Sequence, residues 1–123
     1  KLEMGETAEE CARREVKEEV GITVGNLNMV AELRFLMSDY PDILCHVFFS
    51  ESFEGIATES FEAKPFWCEV EEIPYEQMWS DDAIWLPKAL NGERVLGLFE
   101  FHGERMLRHQ IFLKDEAPSR TNL

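Results

Sequence analysis

Positive charge is what this chain has least of. Twelve lysines and arginines stand against 25 aspartates and glutamates, a formal net charge of −13. That balance argues against a polyanion such as DNA or RNA as the main ligand, since phosphate backbones are held by neutralising Lys and Arg. A small nucleotide stays admissible, because a bound cation inverts the field locally. Cysteine is scarce too: Cys11, Cys45 and Cys68 are an odd number with no CxxC spacing. Neither a disulfide framework nor a zinc site follows, and free buried thiols in a reducing cytosol are expected. No apolar run approaches the roughly 20 residues that span a bilayer, and no secretory signal is visible. Internal repeats, low-complexity tracts and linkers are missing as well. With 123 residues, 45% of them hydrophobic, the chain suits one globular domain over 1–123 with a sizeable core. Asp115 to Leu123 reads as a polar tail.

Acid is what the chain has in excess, and its placement near the start is informative. Thr7 and Glu10 stand in capping-box spacing, which predicts a helix from Ala8. Gly21 is a natural stop for it. At roughly 100° per residue, Ala12, Val16 and Val20 form an apolar stripe suited to packing on a sheet. Glu15 and Glu19 share an arc, with Glu18 beside them. This arrangement stabilises a helix poorly: like charges at i,i+4 cost about 0.2–0.5 kcal/mol, and anions near a C-terminus oppose the macrodipole. A divalent cation removes both penalties, and magnesium takes oxygen ligands while leaving positions for water and phosphates. The bland alternative is a solvated acidic face.

Downstream the pattern alternates. Met29 to Met37 and Ile43 to Ser50 read as strands, the second buried on both faces, with a turn through Ser38–Asp42 between them. Phe66 to Val70 reads as another short strand. Ser80-Asp81-Asp82 precedes a helical AIWLPKAL segment, bent at Pro87 and stopped at Asn91-Gly92. Val95 to Phe101 and Met106 to Leu113 flank His102-Gly103-Glu104 as a hairpin. Mixed strands with two helices predict the α/β class, a sheet held between helices.

Residues 1–22 carry more than periodicity. Glu6, seven free residues, then Arg14-Glu15-Val16-Lys17-Glu18-Glu19-Val20-Gly21-Ile22 fill the Nudix box, Gly-x5-Glu-x7-Arg-Glu-U-x-Glu-Glu-x-Gly-U with U aliphatic. Only its opening Gly is missing; it would fall one residue before Lys1, so the chain resembles a Nudix hydrolase shortened at its N-terminus. So many fixed positions rarely coincide by chance. Further stretches resemble the MutT-homologue purine nucleoside triphosphatases: His46-Val47-Phe48, Gly55 with Glu59-Ser60, Pro65 with Trp67, Ile73-Pro74, Met78-Trp79-Ser80-Asp81-Asp82 with Trp85, and Phe99-Glu100-Phe101.

The resemblance implies an α/β/α sandwich with a mixed sheet. It implies that Glu15, Glu18 and Glu19 are metal ligands, with Glu62 helping to hold metal or orient water, although Glu62 also reads as one of many solvated acids. Glu6 and Arg14 read as a structural tie. Asp81 and Asp82 correspond to a pair that reads the purine edge, with Trp79 and Phe35 over its faces and Trp85 in support. Two adjacent carboxyls repel, so one can keep its proton and donate while the other accepts. The competing reading of Asp81 and Asp82 is a helix cap, and that of the aromatic residues is core packing. His46 reads as a satisfied core residue, and His102 and His109 as surface residues. No Ser/His/Asp or Cys/His set suggests a covalent intermediate.

The implied activity is hydrolysis of oxidised purine nucleoside triphosphates such as 8-oxo-dGTP to the monophosphate and pyrophosphate. The implied cofactor is Mg2+, with Mn2+ as a possible substitute, and Glu15, Glu19 or Glu62 as candidates for the catalytic acid–base work. A cytoplasmic monomer with a small nucleotide as its partner, no nucleic acid polymer and no membrane is expected. Two alternatives stay open: a Nudix hydrolase for another nucleotide-linked substrate, and a catalytically silent nucleotide-binding domain.

Overall fold

The computed structural model describes residues 1–61 and 63–113. Among them the elements run α1 (Ala8–Val20), β1 (Thr23–Val24), β2 (Asn28–Met37), β3 (Ile43–Phe49), β4 (Phe53–Glu54), α2 (Asp82–Leu90), β5 (Val95–His102) and β6 (Arg105–Leu113), with short 3-10 turns at Val70–Glu72 and Tyr75–Gln77. The class is α/β, as expected. The described residues gather into two compact units, Lys1–Asn28 with Phe48–Ile73, and Met29–Val47 with the segment from Pro74 onward.

In the first unit α1 begins with the full capping box: Thr7 Oγ1 accepts from the Glu10 N–H at 3.1 Å, and the Glu10 carboxylate accepts from the Thr7 N–H at 2.8 Å. Gly21 closes the helix at φ 78°, its N–H donating to the Lys17 carbonyl. A side chain there would meet Thr58 Oγ1 at 3.0 Å, and the Thr58 N–H in turn satisfies the Val20 carbonyl at 2.8 Å. The predicted stripe of Ala12, Val16 and Val20 is only half-buried, and α1 buries no residue fully. The helix therefore depends heavily on its ends. β1 pairs antiparallel with β4, a two-residue ladder that the sequence reading did not foresee.

In the second unit the strand order is β3-β2-β5-β6. β2 and β5 run parallel and β5 and β6 antiparallel, so the sheet is mixed as expected. Val95, Gly97, Phe99 and Phe101 alternate as the buried side of β5, and Leu33 and Ala31 of β2 join them. Gly97 makes room for its neighbours: a Cβ there would lie 2.7 Å from the Phe99 ring and 3.1 Å from Leu33, so these buried side chains would have to shift. α2 buries Trp85 and Ala89, one turn apart, and packs beside β5. Pro87 sits within α2, which ends soon after at Leu90.

Two strand expectations fail. Phe66 to Val70 forms no strand; Phe66 and Trp67 are exposed, and Val70 opens a 3-10 turn. A β-rich run needs a partner to satisfy its backbone, and among the described residues none pairs with this one. Ile43 to Phe49 is a strand, but it lies at the edge of its sheet, with Ile43 and Leu44 exposed rather than buried on both faces. His46 is half-buried, 4.0 Å from Glu32, and His102 and His109 are exposed. The three cysteines are free but not buried as expected: Cys11 and Cys45 are half-buried, and Cys68, on the segment that forms no strand, is exposed. The tail from Asp115 to Leu123 lies outside the described residues. Among the described residues, no helix is long and apolar enough to cross a membrane.

Candidate active site

Glu15, Glu18 and Glu19 emerge from one side of α1 and line a cavity of about 540 Å³ in the first unit, together with Arg14, Ser60 and Phe61. Arg14 organises its rim. Its Nε and Nη2 grip Glu6 at 2.8 and 3.0 Å, and its Nη1 donates to Glu18 at 3.1 Å. This is the expected tie, in the fork geometry that suits guanidinium and carboxylate. Arg14's hydrogen bonds, aided by the Glu3 N–H, hold the Glu6 carboxyl down to about 2. Arg14 itself is pushed above its usual value, chiefly by Glu6. Glu15 accepts from the Cys11 thiol at 3.0 Å and from the Lys1 amino group. Those bonds, Cys11 first, draw the Glu15 carboxyl below its ordinary range. The same contact pushes the Cys11 thiol up.

Among the described residues no three His, Cys, Asp or Glu side chains stand close enough together to hold a metal ion as they are. Glu62 lies outside the described residues. The donor set nevertheless fits a hard dication. All three side chains offer carboxylate oxygens, and magnesium needs only one or two of these when waters and phosphates complete its shell. A cationic group already lies on one of them, the Arg14 guanidinium on Glu18.

The second unit holds a cavity of about 300 Å³ with a mostly apolar wall. Phe35, Trp79, Asp81 and Asp82 all line it, so four of the five residues expected to bind a base meet in one place. Phe35 stacks on Phe99 at 5.6 Å, and Trp79 meets Phe101 edge-on at 5.4 Å. Trp79 remains 46% exposed, which leaves ring surface for a ligand. Trp85 does not line the cavity. It is buried, and its indole N–H donates to Asp81 Oδ2 at 2.9 Å. Asp81 occupies the N-cap position of α2, but its side chain makes no capping hydrogen bond. The carboxylate turns to Trp85 instead. Burial first, and then the neighbouring Asp81, raise the Asp82 carboxyl above its ordinary value; the Trp85 indole works against them. A carboxyl raised in this way holds its proton to higher pH, and the protonated form can donate a hydrogen bond.

Met37, Ile43, Cys45 and Phe101 also line the cavity, and the sequence reading assigned none of them. Their signal was i,i+2 spacing: Phe35 with Met37, Ile43 with Cys45, Phe99 with Phe101. The parallel register that sets Met37 beside Phe101 joins segments far apart in the chain, which spacing does not reveal.

The model of the NUDIX domain matches residues 1–89, most of the chain. This chain belongs to the Nudix family. Membership makes it a hydrolase of a family that works with divalent metal ions on nucleotide-type substrates. Among its Nudix relatives, a protein of Danio rerio named oxidized purine nucleoside triphosphate hydrolase is 38% identical over 108 residues, 87% of this chain and 69% of the relative. A Mus musculus protein of the same name is 34% identical over 105 residues, 85% of this chain and 67% of the relative. The crystal structure of a MutT protein from Bacillus halodurans superposes with a TM-score of 0.81, covering 94% of this chain and 79% of that one. At 24% identity this likeness carries the Nudix fold alone.

Proposed function

We propose that this Nudix enzyme hydrolyses oxidised purine nucleoside triphosphates such as 8-oxo-dGTP to the nucleoside monophosphate and pyrophosphate, with magnesium as its metal. The observation that carries the reading is the aromatic cavity in which Asp81 and Asp82 face Phe35 and Trp79. A flat heterocycle suits those rings, and stacking on an aromatic side chain contributes about 1–3 kcal/mol per base. The names of the two vertebrate relatives support the same substrate class. In the first unit, Glu15, Glu18 and Glu19 would hold magnesium, with Glu62 as a fourth acid. When bound, the metal supplies charge neutralisation and orientation of the phosphates for in-line attack by water.

The protein's own residues do the rest. Arg14 orients Glu18 and anchors the segment around Glu6 to α1. Glu19, or Glu62, takes the proton of the attacking water. Asp82 keeps its proton to higher pH than a free aspartate and donates to an acceptor on the base, while Asp81 accepts. Trp85 fixes Asp81 in place. The enzyme works as a cytoplasmic monomer that sanitises the nucleotide pool; its three free cysteines suit a reducing compartment.

A substrate panel tests this reading. Pyrophosphate release with magnesium is measured for 8-oxo-dGTP, dGTP, ADP-ribose and a dinucleoside polyphosphate. Preference for 8-oxo-dGTP is expected. Turnover of only the last two would redirect the assignment to another Nudix substrate, and binding without turnover would leave a silent nucleotide-binding domain.

A further inference from the structure

We infer that Cys45 is a specificity-determining residue of the base cavity, its thiol supplying the hydrogen-bond donor that favours a 6-oxopurine over a 6-aminopurine. The inference rests on the proposed role of that cavity. Cys45 and Ile43 share one side of β3, the neighbour of β2, which brings Phe35 and Met37 to the same wall. The polar character of this wall comes mainly from Asp81 and Asp82. Of the two carboxyls only the protonated Asp82 has a hydrogen to give, so once it bonds one acceptor on the base the remaining carboxyl oxygens only accept, and a 6-amino group meets that need. A 6-oxo group beside a second ring acceptor needs a further donor instead.

Cys45 is placed to be one. Cys11 donates to Glu15 and Cys68 to the Glu69 carbonyl, whereas Cys45 has no hydrogen-bond partner among the described residues. Of the three thiols it is the one that faces the cavity. Burial, followed by the charges of Asp81 and Asp82, pushes it up from the ordinary thiol value. It therefore stays S–H at neutral pH, a donor and not a nucleophile.

Steady-state rates with dGTP and dATP, a 6-oxo and a 6-amino purine triphosphate, test the idea. Cys45→Val is nearly isosteric and removes the donor; it should lower the dGTP-to-dATP ratio of kcat/KM by roughly three- to tenfold, the range of one net hydrogen bond. Cys45→Ser restores a donor and should return the ratio to within about twofold of the parent enzyme, a margin well inside that range. An unchanged ratio in Cys45→Val, or a serine variant that falls with the valine one, overturns the assignment. If valine prevents folding, Cys45→Ala deletes the same donor and is held to the same outcome.

Two controls separate this inference from the cavity reading beneath it. In the unmodified enzyme, bound nucleotide should slow maleimide labelling of Cys45 while leaving the exposed Cys68 unchanged. In the same rate assay Trp79→Ala should raise KM. If neither occurs, the cavity does not bind the base; if both occur and Cys45→Val keeps the parent ratio, only the role of Cys45 falls.

Discussion

Asp81 is 4% exposed, and a carboxylate is tolerated at such a position only with matched donors. Trp85 is the donor that the structure provides. Replacing Trp85 with Phe removes the N–H and one ring of the buried indole, and should cost about 1–3 kcal/mol for the unsatisfied acid in addition to the cavity left behind, read from urea unfolding. Normal stability in that variant would show that Asp81 finds another partner. On the proposed role of Asp82, recognition of the base depends on pH. Its carboxyl is raised by burial and by Asp81, so the donor form is populated at lower pH and lost as pH climbs through its titration. KM for an oxopurine triphosphate should therefore rise with pH. Asp82→Asn, which keeps a donor at every pH, should flatten that rise. At the other site, Glu19→Gln should lower kcat by orders of magnitude with the far-ultraviolet circular dichroism unchanged; near-normal turnover would remove Glu19 from the machinery.

At the scale of elements, α1 shows how a helix persists without a fully buried residue. Its capping box, its left-handed Gly21 and the Glu6–Arg14 fork supply what core burial does not. Thr7→Ala should cost about 0.5–2 kcal/mol, as N-cap losses do. Gly21→Ala should also destabilise, since φ 78° disfavours a side chain and Thr58 stands in the way. The fork sets a pH window. Glu6 titrates near 2 in the folded chain against 4.5 ordinarily, so its contribution is complete above about 4.5 and fades as pH falls toward 2. Acid unfolding of Glu6→Gln should lack that part of the transition. The sequence showed this helix plainly, because caps and box spacing are local. Phe66 to Val70 misled for the opposite reason: strand composition is local, but strand existence requires a pairing partner.

For the molecule as a whole, the charge of −13 makes cations a global as well as a local influence. Magnesium should raise the thermal midpoint beyond what sodium chloride of equal ionic strength achieves. At 100 times its dissociation constant, a ligand specific for the folded state adds about 2.7 kcal/mol. A Glu15→Gln/Glu19→Gln double variant should respond to the two salts alike. If the parent chain already does so, the dication site is wrong. The acidic surface should also keep the enzyme off duplex DNA at physiological salt.

Much of this protein was settled by its sequence alone. Family, α/β class, the ends of α1, the β5–β6 hairpin and the aromatic–carboxyl segment from Trp79 to Trp85 all follow from residues close together in the chain, where spacing translates directly into geometry. Tertiary structure decided the rest. It turned Asp81 from a helix cap into the partner of Trp85, moved Ile43–Phe49 to a sheet edge, and brought Met37, Cys45 and Phe101 to the wall shared by Phe35 and Trp79. Those outcomes depend on strand register and burial, which arise only when distant segments compete for the same partners and the same dry volume.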